Sequence, residues 1–426
     1  MGNWSELIRN GITGVWLVTS ALSSLYFLLT LTSLLMRRFR GAPVQPMAPG
    51  SPQVTVHIPT RNELAALACA ERCLAMDYPE DRLQILIGDD SNRPEISARI
   101  AEFAARNPRI TVLRRPDNAG YKAGNLNHMM TRTTGEYVLV FDSDFLPDRD
   151  FLRKMVQPVL RDPELAGVQA AWRVANVHQN LTTLMGAGIV YVIHIVILPF
   201  IRRFARTGMF CGSAELIRRD LLEASGGWTP GAFTEDVDYS LRAFVAGRRI
   251  AYLEDVSCDC EVPHTPRDLF RQQMRWAYGV MRAFMSHGGA LLRSRVVHVR
   301  SKIAAVCFGS GYLMIVLLLL SLFLGAANLL GGGQAAAALA EPAAAAALWL
   351  DFGGNVLLSC GLLLSSLCAS FVAGVSLRNV GKLLVASLSL GVLLLFFVGK
   401  GLFRALFGLP MHWFLVRKNG NAVSPA

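Results

Sequence analysis

Residues 137–144 read YVLVFDSD, an apolar run rich in β-branched valine that ends abruptly in two carboxylates. A run this short and this apolar reads as a buried strand. In extended geometry positions i and i+2 share a face, so Asp142 and Asp144 converge beyond the strand's carboxyl end. A convergent pair of carboxylates suits a hard divalent cation such as Mg2+ or Mn2+, with phosphate and water completing the coordination. A capped turn is the alternative reading of the same residues.

Similar runs lie on both sides of this one, at Val54–Ile58, Leu83–Gly88, Ile110–Leu113 and Gly167–Ala171, and helical patterns such as Glu63–Ala75 and Pro94–Asn107 separate several of them. Strands alternating with helices predict βαβ units and a mostly parallel sheet. Ligands on such sheets bind beyond the strands' carboxyl ends, and the polar motifs fall there.

Outside this region the chain changes character. Of 426 residues 52% are apolar and only 17% charged, with mean hydropathy +0.37. That excludes a disordered chain and argues against a wholly soluble one. Residues 11–36 are 26 uncharged residues, enough to cross a bilayer, followed at once by Arg37, Arg38 and Arg40. The arginines predict that the following domain is cytosolic. A Pro/Gly linker covers 41–52, and further uncharged runs occupy 303–330, 352–377 and 383–399. The expected domains are an anchor (1–40), a cytosolic catalytic unit (41–300), C-terminal membrane helices (301–411) and a basic tail (412–426).

Residues 183–200 are also apolar, but a span there would put Asp142 and Asp236 on opposite sides of the membrane. They are read as buried or interfacial. The side of the C-terminus is ambiguous. One span before the domain and three after it place the end outside, whereas Arg417 and Lys418 argue inside. The Ala-rich stretch 335–350 offers a weak extra span. Net charge is +11, from 42 Lys+Arg against 31 Asp+Glu, which the positive-inside bias accounts for. No basic-aromatic run points to nucleic acid. The eight cysteines show no zinc spacing.

Four more motifs carry chemistry. Asp89 and Asp90 follow the strand LQILIG and suit the hydroxyl and N–H groups of a nucleoside. Lys122-Ala-Gly-Asn-Leu-Asn127 opens a helix, where a lysine and helix N-terminal amides suit a diphosphate. Thr234-Glu235-Asp236 begins another helix; its acids read either as a capped first turn or as a general base. Gln272, Arg275 and Trp276 share one helix face, where Gln and Arg suit a phosphate or hydroxyl and Trp a sugar ring. An interfacial Arg/Trp belt is the alternative.

In this order and spacing, residues 53–285 resemble the inverting family 2 glycosyltransferases that include cellulose, hyaluronan and mannan synthases. His57-Ile-Pro-Thr60-Arg-Asn-Glu63 resembles the family's opening strand and loop. Phe210-Cys211-Gly212-Ser213 is similar to its acceptor-side F-C-G-S, and Val168-Gln169-Ala-Ala-Trp172 is similar to mannan synthases.

The resemblance implies an α/β catalytic domain of GT-A type that takes a nucleotide-sugar donor. Thr60, Glu63, Asp89, Asp90, Lys122, Asp142, Gln272 and Arg275 would contact the donor. Asp142 and Asp144 would place Mg2+ or Mn2+, and Asp236 would be the catalytic base. Cys211, Gly212, Glu235 and Trp276 would meet the acceptor. The leading expectation is a multi-pass enzyme of the cytoplasmic membrane that extends a β-linked polysaccharide from a UDP-glucose- or GDP-mannose-type donor. The alternative is transfer to a membrane lipid, as in ceramide glucosyltransferase-like enzymes. A transporter or scaffold is disfavoured by intact acids at every motif. Few helices are present for a self-contained channel, which leaves room for a homo-oligomer or an export partner. The segment Met411–Lys418 only loosely resembles the family's gating loop and lacks its threonine, so the sequence assigns no lid role to Trp413 or Lys418.

Overall fold

The computed structural model describes residues 2–38, 49–331 and 360–414. The Ala-rich stretch 335–350, most of the linker, Arg417 and Lys418 lie outside the described residues.

Among the described residues seven strands form one sheet: β1 (Val54–Thr60), β2 (Leu83–Asp89), β3 (Ile110–Arg114), β4 (Tyr137–Val140), β5 (Leu165–Val174), β6 (Glu215–Arg218) and β7 (Arg249–Cys260). Their order across the sheet is β3-β2-β1-β4-β6-β5-β7. β1 (VTVHIPT) is buried along its whole length, as a strand covered on both faces is; its polar Thr55 and His57 are paired with Gln84 and Thr133. It pairs in parallel with β2 on one side and β4 on the other. The chain therefore winds outward through β2 and β3, then returns to the far side of β1. At such a reversal the connections leave in opposite directions and open a crevice at the strands' carboxyl ends.

The sequence anticipates β1 to β5 within a few residues but neither β6 nor β7. β6 is only four residues long and runs antiparallel to both β4 and β5, with Glu215 opposite Val140 and Gln169. Its direction has a consequence. The residues just before it, Cys211 to Ser213, arrive at the carboxyl end of β4 instead of the opposite edge.

Helices α1 (Gly2–Arg38), α2 (Ala65–Leu74), α3 (Pro94–Arg106), α4 (Tyr121–Met130), α5 (Leu181–Tyr191), α6 (Glu235–Val245), α7 (Pro266–Arg293), α8 (Val299–Gly331), α9 (Gly361–Val372) and α10 (Leu377–Leu406) carry the rest of the argument. Among the described residues, four segments are long and apolar enough to cross a membrane: Thr13–Met36, Leu181–Ala205, Val299–Ser321 and Leu377–Leu406. They differ in what covers them. Leu181–Ala205 is 78% buried inside the protein, whereas Leu377–Leu406 is 17% buried. The reading of 183–200 as a buried segment thus agrees with its packing. Midway along it the helix widens into a π-turn, Val192–Ile197.

Hydroxyl pairs tie the apolar helices together. The Tyr26 hydroxyl meets Ser310 at 3.3 Å, and Thr30 meets Ser365 at 2.7 Å. Such bonds supply directional contacts where apolar packing alone discriminates weakly.

Candidate functional site

Thr60, Asp90 and Asp142 end or follow β1, β2 and β4, so the crevice at the strand reversal collects them. They line a cavity of about 1160 Å3 together with Glu63, Lys122, Asp144, Cys211, Gly212, Glu235, Asp236, Gln272, Arg275 and Trp276. Asp89 does not line it. Only 1% exposed, Asp89 turns inward and its Oδ1 accepts the Ser91 N–H at 2.9 Å. Of the two carboxylates at the end of β2, Asp90 faces the cavity. It is gripped by Arg115 through two bonds, Nε to Oδ1 at 2.8 Å and Nη2 to Oδ2 at 2.5 Å.

Lys122 sits at the centre. Its ammonium lies 2.7 Å from Asp142 and 2.9 Å from Glu235, and donates to the Gly212 carbonyl at 2.5 Å. Burial works against this charge, but Asp142, Glu235 and Glu215 outweigh it and hold the ammonium well above its usual range. Gly212 adopts a φ of +90°, in the left-handed region that other residues rarely enter, which favours glycine at this position. Gly124, in the first turns of α4, allows a closer approach: a β-carbon would come within 2.1 Å of the Ala119 carbonyl. The two asparagines of the motif are structural as well. Asn125 bonds to Gly88, and Asn127 to Trp228.

The Asp142 backbone N–H donates to the Ser213 hydroxyl at 2.9 Å, which fixes the D-S-D turn against the segment before β6. Ser143 donates to Glu63. Asp144 is buried and accepts the Glu261 N–H at 3.1 Å. Among the described residues no three His, Cys, Asp or Glu side chains form a closed metal cage. The donor set nevertheless fits a hard cation that completes its shell from a ligand. Seven carboxylates line the cavity (Glu63, Asp90, Asp142, Asp144, Glu235, Asp236 and Glu261) against three cations, Arg61, Lys122 and Arg275. A diphosphate entering this excess of negative charge is repelled unless positive charge accompanies it.

Helix α6 delivers Glu235 and Asp236 in its first turn. The expected Thr234 cap is not made: its hydroxyl is buried without a partner. The Asp236 carboxyl is pushed up to about 7, first by burial and then by the neighbouring Glu235, with Lys122 pulling the other way. The third acid of this turn, Asp238, is structural and binds Thr229, Arg242 and His287.

Helix α7 brings Gln272, Arg275 and Trp276 to the opposite wall. Burial draws the Arg275 guanidinium down, against the pull of Glu235, Asp142 and Asp236. It lies 4.2 Å from the centre of the Trp413 ring. Trp413 also stacks on Tyr121 at 5.4 Å and Phe233 at 5.8 Å. The chain after α10 therefore returns to the site, where the sequence assigned it no role. Sequence reasoning also missed Glu215, a fully buried carboxylate that accepts the Gly212 N–H at 3.1 Å. Burial and then Asp236 push its carboxyl well above the usual range. Tyr312 and His194, from apolar segments, line the cavity and were likewise not singled out.

The fold defines an α/β protein with a carboxylate-rich crevice at the carboxyl ends of its central strands. Residues 52–279 match the model of "Glycosyltransferase like family 2", more than half of the chain, and the protein belongs to that family. It is 31% identical over 284 residues to glucomannan 4-beta-mannosyltransferase 1 of Oryza sativa subsp. japonica, covering 63% of this chain and 54% of that protein. Glucomannan 4-beta-mannosyltransferase 2 of Arabidopsis thaliana is 31% identical over 266 residues, covering 60% and 49%. The chain thus spans about half the length of these plant relatives. Among solved structures it resembles the mannosyltransferase PcManGT from Pyrobaculum calidifontis, in complex with GDP-Man and Mn2+. That likeness has a TM-score of 0.58 at 24% identity, over 83% of this chain and 97% of that one, and it shows the shared GT-A fold.

Proposed function

We propose that the protein is an inverting hexosyltransferase that moves a sugar from a nucleoside diphosphate to a hydroxyl of a β-linked glycan, with Asp236 as base. The observation that carries this reading is a buried carboxyl held near 7, on the same cavity as the D-S-D pair and Arg275. A base of that strength is half ionised at neutral pH and takes a proton readily as the bond to oxygen forms.

The acceptor oxygen bonds to the anomeric carbon as the bond from that carbon to the diphosphate breaks. The proton passes to Asp236, and the nucleoside diphosphate leaves with the electron pair. One displacement inverts the anomeric configuration, so an α-linked donor gives a β-linked product. Asp90, positioned by Arg115, takes the nucleoside, with Thr60 and Glu63 at the base of the same crevice. Gln272 and Arg275 face the diphosphate, and Cys211, Gly212, Glu235 and Trp276 border the acceptor. Lys122 holds Asp142, Glu235 and the Gly212 carbonyl in register. Mg2+ or Mn2+ on Asp142 and Asp144 would offset the charge of the leaving diphosphate.

A GDP-mannose-type donor and a mannan-like product are supported by the plant relatives' names. The catalytic unit faces the cytosol, as Arg37 and Arg38 at the C-terminal end of α1 favour. The contact of Trp413 with Arg275 supports the same side for the chain's last described residues. Incubation of purified protein with radiolabelled UDP- and GDP-sugars, followed by sizing of the product, tests this reading. Failure to consume any donor would overturn it.

A further inference from the structure

Glu215 is a carboxyl shut away from water. It opens β6, is fully buried and does not line the cavity. One oxygen, Oε2, accepts the Gly212 N–H at 3.1 Å; the other, Oε1, has no hydrogen-bond partner among the described residues. A carboxylate so short of donors is costly to bury, and the neutral acid is far less so. Its surroundings press the same way. Across the sheet it faces Val140 and Gln169, which carry no charge. Asp236 and Glu235 on α6 outnumber Lys122 on α4, and burial keeps the nearby Cys211 and Tyr239 in their neutral forms.

The turn that Glu215 holds is strained and central. Ala214 follows Gly212 into the left-handed region with a φ of +53°, where an alanine stays only if its surroundings fix it. Gln169 fixes the turn's two sides: it accepts the Cys211 N–H at 2.8 Å and donates to the Ser213 carbonyl at 2.9 Å. Glu215 fixes the middle. From there the Gly212 carbonyl takes Lys122, and the Ser213 hydroxyl takes the Asp142 N–H. The open side of Gly212 faces the base, since a β-carbon there would stand 3.5 Å from the Asp236 carboxyl. The turn thus connects the D-S-D pair to Asp236. We propose that Glu215 is a positioning residue for transfer, a neutral carboxylic acid that clasps the Gly212 N–H and holds the turn against Lys122 and Asp236 without adding a charge beside the base. This role rests on the transfer reading and adds to it a residue that touches no substrate.

Two variants and one spectrum, all on the full-length protein, decide the matter. Glu215→Leu orphans the Gly212 N–H, and an unpaired buried donor should lower kcat roughly tenfold to a hundredfold. Donor affinity, read by nucleotide titration, should change less than kcat. Glu215→Gln keeps an oxygen for that N–H and should recover most of the loss, with the ascending limb of kcat/KM where wild type has it. The spectrum needs no turnover. Infrared difference between wild type and Glu215→Gln at pH 8, where Asp236 is mostly ionised, should show the carbonyl stretch of a neutral carboxylic acid.

A carboxylate band in its place, or a limb displaced to lower pH in Glu215→Gln, would show that Glu215 carries charge and overturn the assignment. Wild-type kcat in a folded Glu215→Leu protein would overturn it as well, and so would a Glu215→Gln protein that recovers nothing. Should Glu215→Leu not fold, the spectrum and the pH limb of Glu215→Gln still decide. A neutral-acid band in a wild type that consumes no donor would instead remove the transfer reading and leave the clasp standing.

Discussion

Replacing Asp236 by asparagine keeps the side chain's shape and removes its charge, and the two consequences run in opposite directions. The folded protein holds this carboxyl at about 7 against an ordinary 3.8. Because the folded pKa is raised, the folded state binds the proton more tightly than the unfolded chain does. Its contribution to stability is full below the unfolded value and is lost as pH rises through about 7. A displacement of about three units corresponds to roughly 4 kcal/mol of strain carried by the ionised wild type at alkaline pH. Asp236→Asn should therefore melt like wild type near pH 4 and several degrees higher, on the order of 5–10 °C, at pH 8. Turnover should fall by ~10²-fold or more while donor binding is largely kept. Melting in detergent across this pH range, paired with donor titrations and initial rates, reads both effects. A stability gain that stays flat from pH 4 to pH 8 would show that the carboxyl is not held protonated by its surroundings. Normal turnover in the variant would remove Asp236 from the chemistry altogether. In wild type the same displacement predicts an ascending limb of kcat/KM centred near neutrality, since the base must be ionised to act.

Chelation with EDTA should abolish transfer, and Mn2+ or Mg2+ should restore it; full turnover in chelator would separate Asp142 and Asp144 from any metal role. Trp413→Ala should raise the donor KM by about threefold to thirtyfold, the range of a partly desolvated cation–π contact, with kcat less affected; an unchanged donor KM would reduce Trp413 to a packing residue. Trp276→Ala should shorten the product more than it weakens donor binding, because a stacking platform retains the sugar end between transfers. Equal product length at matched protein levels would assign Trp276 to anchoring α7.

Much of the catalytic unit is legible along the chain. Runs dominated by apolar residues and free of charge name β1, β2 and β4, because strands buried on both faces exclude charged groups until they end. For the same reason the acids that follow them stand out, and their order carries the family resemblance. Local sequence also separates the buried helical segment at 183–200 from the outer helices, once Asp142 and Asp236 are required to share a site.

What the chain could not show depends on contacts between distant segments. Asp89 and Asp90 are indistinguishable as letters. Only the turn after β2 decides that one bonds to Ser91 and the other faces the cavity. β6 is four residues long and opens with a glutamate, so no periodicity reveals it. Its antiparallel course is what carries Gly212 and Ser213 to Lys122 and Asp142. The near-neutral proton affinity of Asp236 exists only after burial has stripped its water and packing has set Glu235 beside it. Trp413 follows a membrane-like helix and looks remote from any chemistry until α10 returns it to Arg275. The sequence by itself determines which groups are present and which segments shed water. Tertiary structure decides which groups meet, because proton affinity and charge pairing depend on distance and solvent access, which residue order does not encode.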